Sequence, residues 1–273
     1  MGDTKYPTLN EIRAAHEPKR EYERYLFASR YVFRPPSFYA TWLLVRLGVS
    51  SEGASWLSGL AALSGFVCLL WPGEPLLWPG VFFLCLFNFF DCLDGGIARI
   101  MHTRNPYGHF LDSIMWWADM LFWSVIGVTV WRLEDLRLPG DSFGIAPAAW
   151  IAAGVFSAFL MDYAAYLESV FDLRLRVHWE TLLRREGVPL ASTPIEGKAA
   201  PEVFTRVLVH NLRVRETHYV LLAVACALGC ADLLLAFFLA VNAAVVVSLL
   251  FTYCRRGRKI YEAGLGRDAA PLK

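Results

Sequence analysis

The run PLLWPGVFFLCLFNFFDCLDGGIARIMHTRNPYGHFLD, Pro75–Asp112, decides what kind of molecule this is. Its first part, Pro75–Ile100, is apolar and long enough to span a bilayer, which takes roughly 20 apolar residues. Acidic groups then appear within the same segment, Asp91 and Asp94, followed by Asp112 after a turn at Asn105-Pro106. An Asp at the centre of a membrane helix costs roughly 2.5–3.5 kcal/mol on insertion scales, so three in one hairpin require a compensating cation. Asp91 and Asp94 stand three residues apart, so one helix face presents both. The antiparallel return of the chain brings Asp112 to the same depth. Three converging carboxylates are the oxygen-rich shell that Mg2+ or Mn2+ prefers. Gly95, Ala98 and Gly108 lack bulk, so a ligand or a neighbouring backbone can come close. Arg99 adds forked donors suited to phosphate. Metal, arginine and a cleft of small residues describe a pyrophosphate site, in which the metal stabilises charge on the leaving phosphate.

Working outward, the rest of the chain has the same character. Of 273 residues, 56% are hydrophobic and 19% charged, with a mean hydropathy of +0.40. That balance excludes an ordinary soluble domain. The net charge of +1 hides a segregation of charge into separate stretches, as membrane topology demands. The pattern predicts an all-α, multi-pass membrane protein with six transmembrane helices. These are Ala54–Trp71, Pro75–Ile100, Tyr107–Trp131, Phe143–Leu167, and a pair running from Thr217 to Tyr253 with a break at Gly229–Asp232. An N-terminal amphipathic interfacial helix is expected over Pro35–Val49. Its Trp42, Leu43, Leu44 and Leu47 would face lipid, and Arg34 and Arg46 the headgroups.

Residues 1–30 are highly charged and lack the apolar core of a signal peptide. The basic residues cluster in the N-terminal arm, the Arg99–Arg104 link, residues 168–216 and the tail, which places both termini in the cytoplasm. In a bacterium the location would be the plasma (inner) membrane. The expected organisation is a cytoplasmic arm with the interfacial helix (1–48), a six-helix membrane domain (49–260) with a cytoplasmic insertion (168–216), and a cytoplasmic tail (261–273). In that insertion, Arg206, Arg213 and Arg215 read either as a solvated, headgroup-facing ledge or as holders of an anionic acceptor or lipid. The six cysteines form no CxxC pair and read as small buried hydrophobes.

The spacing of the acidic hairpin resembles the CDP-alcohol phosphatidyltransferase family, whose pattern is D-x2-D-G-x2-A-R-x8-G-x3-D-x3-D. Asp91, Asp94, Gly95, Ala98, Arg99, Gly108 and Asp112 match it in identity and spacing. The resemblance implies transfer of a substituted phosphate group from a CDP-alcohol, foremost CDP-diacylglycerol, to a small alcohol or lipid acceptor, with release of CMP in phospholipid biosynthesis. It implies Asp91, Asp94 and Asp112 as metal ligands for Mg2+ or Mn2+, membrane lipids as surroundings and a homodimer as assembly. Gly95, Ala98, Arg99, Asn105 and Gly108 are the candidate substrate-binding residues. No nucleic-acid partner is expected.

Two departures stand out. Where the family often shows a T-P-N-x-V-T-like stretch, Ser51 and Glu52 replace Pro and Asn within Val49–Ser55. At the position of the family's last Asp, thought to be the base that activates the acceptor, the chain has Trp116. Trp can neither bind metal nor take a proton. Asp119, seven residues after Asp112 and so about 10 Å further along a helix, is the candidate replacement. Asp162, Glu216 and His218 are further candidates. Three other readings compete: an impaired family member acting as a nucleotide- or lipid-binding scaffold, a CDP-choline or CDP-ethanolamine:diacylglycerol-type transferase, and an acidic cluster that merely pairs with Arg99 and Arg104. A transporter would want broken or charged segments in matching halves, and only one such cluster exists.

Overall fold

A computed structural model describes residues 6–20, 22–72, 76–103, 105–133, 137–138, 146, 148–188 and 200–265. Among them are helices and no strand. The elements are α1 (Leu9–Arg20), α2 (Arg34–Arg46), α3 (Ser51–Leu70), α4 (Leu77–Ile100), α5 (Pro106–Met115), α6 (Trp117–Arg132), α7 (Ala148–Arg174), α8 (Arg176–Arg185), α9 (Ala200–Arg213), α10 (Arg215–Ala227) and α11 (Ala231–Glu262). A 3-10 turn at Tyr22–Tyr25 and a π-turn at Ser29–Phe33 join α1 to α2.

Local chemistry explains where several helices begin. Thr8 and Glu11 form a capping box at the start of α1: the Thr8 amide donates to the Glu11 carboxylate at 2.6 Å, and the Glu11 amide to Thr8 Oγ1 at 3.3 Å. Ser50 caps α3, accepting from the Gly53 amide at 3.0 Å. Asn105 caps α5 with Pro106 at the first helical position, where a missing N–H costs nothing. The break between α10 and α11 falls at Leu228–Cys230, with Gly229 at φ +60°, overlapping the expected interval Gly229–Asp232.

Among the described residues, five stretches are long and apolar enough to cross a membrane: α3, α4, α5 with α6 (Pro106–Arg132), α7 and α11. The sixth apolar segment, α10, has 13 residues, or about 20 Å against the roughly 30 Å of a hydrocarbon core. The fourth span runs on to Arg174, beyond the expected end at Leu167. The third is interrupted at Trp116, where the ladder tightens to an i→i+3 bond from the Trp116 amide to the Ser113 carbonyl (3.3 Å).

α3 packs along α4, α6 along α7, and α7 along α11, while α2 and α10 lie against α4. The central core joins Phe87, Phe122, Trp123, Tyr219 and Phe238. Lipid tails are as apolar as these side chains, so close backbone packing must supply much of the cohesion. The α6–α7 contact shows it. A Cβ added at Gly154 would lie 2.5 Å from the Trp123 carbonyl oxygen and 2.6 Å from the Gly127 Cα. Only glycine permits this approach.

The helix predicted before the first span is present as α2, with Leu43 and Leu47 exposed. Arg46 lies over the Trp42 ring at 3.8 Å. Arg34 departs from expectation. It is 8% exposed, held by the Glu23 carboxylate at 2.6 and 3.0 Å and donating to the Cys92 carbonyl at 3.1 Å. A forked pair with a carboxylate outcompetes the headgroup layer for a guanidinium. All six cysteines are free, and Cys92 alone among them is fully buried.

Candidate active site

The acidic face of α4 is shaped by three neighbouring helices. From α3, Ser55 Oγ donates to Asp94 Oδ2 at 2.7 Å. From α10, Arg215 pairs with Asp91 and reaches Asp119 at 3.3 Å and Asn88 Oδ1 at 3.2 Å. Its guanidinium stands 5.0 Å from the Phe87 ring centroid. One turn along α10, the Tyr219 hydroxyl donates to Asp119 Oδ1 at 3.3 Å. From α5, the exposed Asp112 brings its carboxyl within hydrogen-bonding reach of Asp91. The charges of Asp91 and Asp112 both act on Asp94.

The three carboxylates anticipated from the sequence therefore lie in one electrostatic neighbourhood. Asp119 joins them through a shared guanidinium. The donor set is all oxygen and carries a surplus of negative charge over Arg215, which suits a hard divalent cation. Among the described residues, however, no three His, Cys, Asp or Glu side chains stand as a ready coordination shell. Asp91 is engaged by Arg215 and Asp94 by Ser55, so a cation would have to draw oxygens from these partners. The residues fit the ion by chemistry, while their contacts here are with protein groups.

The remaining candidates fall into place one by one. The Arg99 guanidinium lies over Gly95: a Cβ there would sit 3.2 Å from Arg99 Nη1. The small residue thus makes room for the arginine itself. Arg99 Nη2 bonds the Nδ1 of His16 at 3.3 Å. Ala98 is half-buried on the same helix, and a Cβ added at Gly108 would meet only Asn105 Oδ1, at an ordinary contact distance of 3.7 Å. Asn105 acts structurally, its Oδ1 accepting from the Gly108 amide at 2.8 Å and its Nδ2 donating to the Thr103 carbonyl at 3.0 Å. Trp116 is 43% exposed. It lines a cavity of about 230 Å³ together with Asp119, Arg213, Arg215, His218 and Tyr219.

Of the other possible bases, His218 is buried among Phe122, Trp123 and Phe238, with Nε2 at 2.9 Å from the Leu212 carbonyl. A carbonyl only accepts, so Nε2 carries the proton and serves packing. Asp162 sits on α7, one oxygen buried without a hydrogen-bond partner. Glu216 opens the first turn of α10. Arg213 pairs with Glu168 at 2.8 Å. Arg104 and the side chain of Arg206 lie outside the described residues. The acids' observed partner is Arg215, for which the sequence offers a headgroup-facing ledge or a hold on an anionic acceptor or lipid, and not a pairing with these acids. Ser55, Asn88 and Tyr219 were also missed. Nothing in their local sequence separates them from ordinary membrane-helix residues.

Residues 54–182 match the family model of the CDP-alcohol phosphatidyltransferases. Over that segment the chain is similar to this family of transferases for substituted phosphate groups, which use a CDP-alcohol in phospholipid synthesis. No curated protein matches the chain.

Proposed function

We propose that the protein transfers a phosphatidyl group from CDP-diacylglycerol to an alcohol acceptor, releasing CMP, at the site formed by α3, α4, α5, α6 and α10. The observation that supports this is the mutual electrostatic influence of Asp91, Asp94 and Asp112, with Arg99 laid over Gly95 on the same helix as two of them. Asp91, Asp94 and Asp112 would hold Mg2+ or Mn2+. When bound, the ion supplies positive charge against the pyrophosphate and the departing CMP. Arg99, laid over Gly95, offers its guanidinium to a phosphate oxygen. Gly95, Ala98 and Gly108 leave room for the nucleotide.

The acceptor hydroxyl attacks the β-phosphorus. The bond from that phosphorus to the oxygen bridging it to CMP breaks, and CMP leaves with that oxygen. The hydroxyl proton passes to Asp119, whose carboxylate is held by Arg215 and Tyr219 and opens on the cavity rimmed by Trp116. That cavity is the proposed acceptor pocket. The distribution of basic residues supports a cytoplasmic orientation for this end of the bundle and for both termini. The arm (1–48), membrane domain (49–260) and tail (261–273) are the corresponding divisions.

The test is CMP release from CDP-diacylglycerol by purified protein in millimolar Mg2+, across a panel of acceptors. Wild-type release, abolished in Asp91→Asn while the protein still inserts, is the expected result. Full activity in Asp91→Asn refutes the site. A wild type that binds CDP but releases no CMP supports instead the scaffold reading, which Trp116 motivates.

A further inference from the structure

The N-terminal arm makes a chain of polar contacts that ends on Arg99. α1 packs against α4. On it His16 is buried, its ring edge-on to Phe38 at 5.4 Å. His16 Nδ1 lies 3.3 Å from Arg99 Nη2, and Nε2 lies 2.8 Å from Glu23 Oε2. A guanidinium only donates, so Nδ1 must be the bare nitrogen and Nε2 the protonated one. The imidazole is thus a neutral Nε2–H tautomer that accepts from Arg99 and donates to Glu23. Glu23 is held in turn by Arg34, and Arg34 by the Cys92 carbonyl. The chain of contacts closes on α4 at two points: the backbone at Cys92, between Asp91 and Asp94, and the side chain at Arg99.

Anchoring the arm would need only the Glu23–Arg34–Cys92 part. The further link from His16 to Arg99 crosses from the arm to a motif residue whose guanidinium Gly95 has made room for. His16, Glu23 and Arg34 all lie outside the segment matched by the family model, 54–182. We infer that His16, oriented by Glu23, is a positioning residue for Arg99, so that the N-terminal arm completes the donor-phosphate site. The inference rests on the reading of Arg99 as a phosphate ligand. A flexible arginine loses rotamer freedom when it binds phosphate, and a fixed acceptor at Nδ1 settles that cost before the ligand arrives.

Two conservative variants separate positioning from anchoring. In His16→Asn the amide oxygen can take the place of Nδ1 and still accept from Arg99, while the contact to Glu23 is lost. In His16→Gln the amide nitrogen can take the place of Nε2 and still donate to Glu23, while the acceptor for Arg99 is lost. The full chain in detergent is titrated with CDP in the presence of Mg2+, and Tm is recorded for each variant, with Asp94→Asn alongside. Losing one charge-assisted hydrogen bond weakens binding about tenfold or more. The expected result is that His16→Ala and His16→Gln lose affinity by that factor, while His16→Asn retains most of it despite the lower Tm. His16→Gln binding like the wild type, or His16→Ala unchanged, overturns the inference. If Asp94→Asn loses CDP while every His16 variant keeps it, this inference alone fails. If Asp94→Asn binds CDP as the wild type does, the reading of the site fails, and the inference with it.

Discussion

Arg215→Ala removes the one guanidinium that two carboxylates share. At 3.3 Å from Asp119 and an effective dielectric of about 20, the gross attraction of one pair is about 5 kcal/mol. Much of that is offset by the cost of taking the charges out of water, and removing one partner of a buried pair costs about 3–5 kcal/mol. The side chains are 22% exposed for Arg215, 21% for Asp91 and 14% for Asp119, so some solvent screening remains and the lower end, about 3 kcal/mol, applies. At roughly 2–4 °C per kcal/mol for a chain of this order of size, Tm should fall by about 6–12 °C. Tryptophan fluorescence of the detergent-solubilised protein measures it. Millimolar Mg2+ should raise the variant's Tm more than the wild type's, because Asp91 is freed from its protein cation. A Tm equal to that of the wild type, and indifferent to Mg2+, refutes the claim that Arg215 is the counter-charge of this cluster.

Other outcomes follow from the same geometry. Asp119→Asn should slow CMP release about 100-fold or more, the range of general-base catalysis, and far more than Asp162→Asn. Equal small effects remove Asp119 as the base. Glu23 is pulled down to about 2: burial opposes its charge, but the hydrogen bond from His16 and the Arg34 guanidinium outweigh it. A depressed carboxyl stabilises above its unfolded value near 4.5 and loses that contribution as pH falls toward about 2. Hydrogen-exchange protection of residues 9–20 should therefore survive at pH 4 and drop near pH 2. Protection already lost at pH 4 contradicts it. Gly154→Val should cost at least about 1–3 kcal/mol by overpacking, visible as a lower Tm; a neutral result would mean that α6 and α7 do not approach so closely.

The acidic hairpin could be read from the sequence because its parts are local. Asp91, Asp94 and Arg99 share one helix, and the turn to Asp112 is punctuated by Asn105-Pro106. The break at Gly229 was legible for the same reason. Arg215 was not, because its place depends on α10 packing against α4, and Asn88 is 127 positions away in the chain. A basic residue at the end of an apolar run reads as a headgroup contact unless tertiary structure draws it inward. The arm was opaque for a related reason. Glu23 and Arg34 look like solvated charges in a string, and His16 carries no local cue; their burial exists only once α1 lies on α4. The capping role of Asn105, beside Pro106, is a local signal of the same kind as the acidic hairpin.

The interruption at Trp116 bears on how a site can tolerate a displaced carboxylate. In an unbroken rod, moving an acid from four to seven positions beyond Asp112 fixes both its advance along the axis and its angular phase. A tightened turn between the two acids uncouples these quantities, because the second half of the span can adopt its own azimuth. With the ladder tightened at Trp116, Asp119 reaches the same guanidinium that pairs with Asp91, and the Trp116 ring lines the cavity beside it.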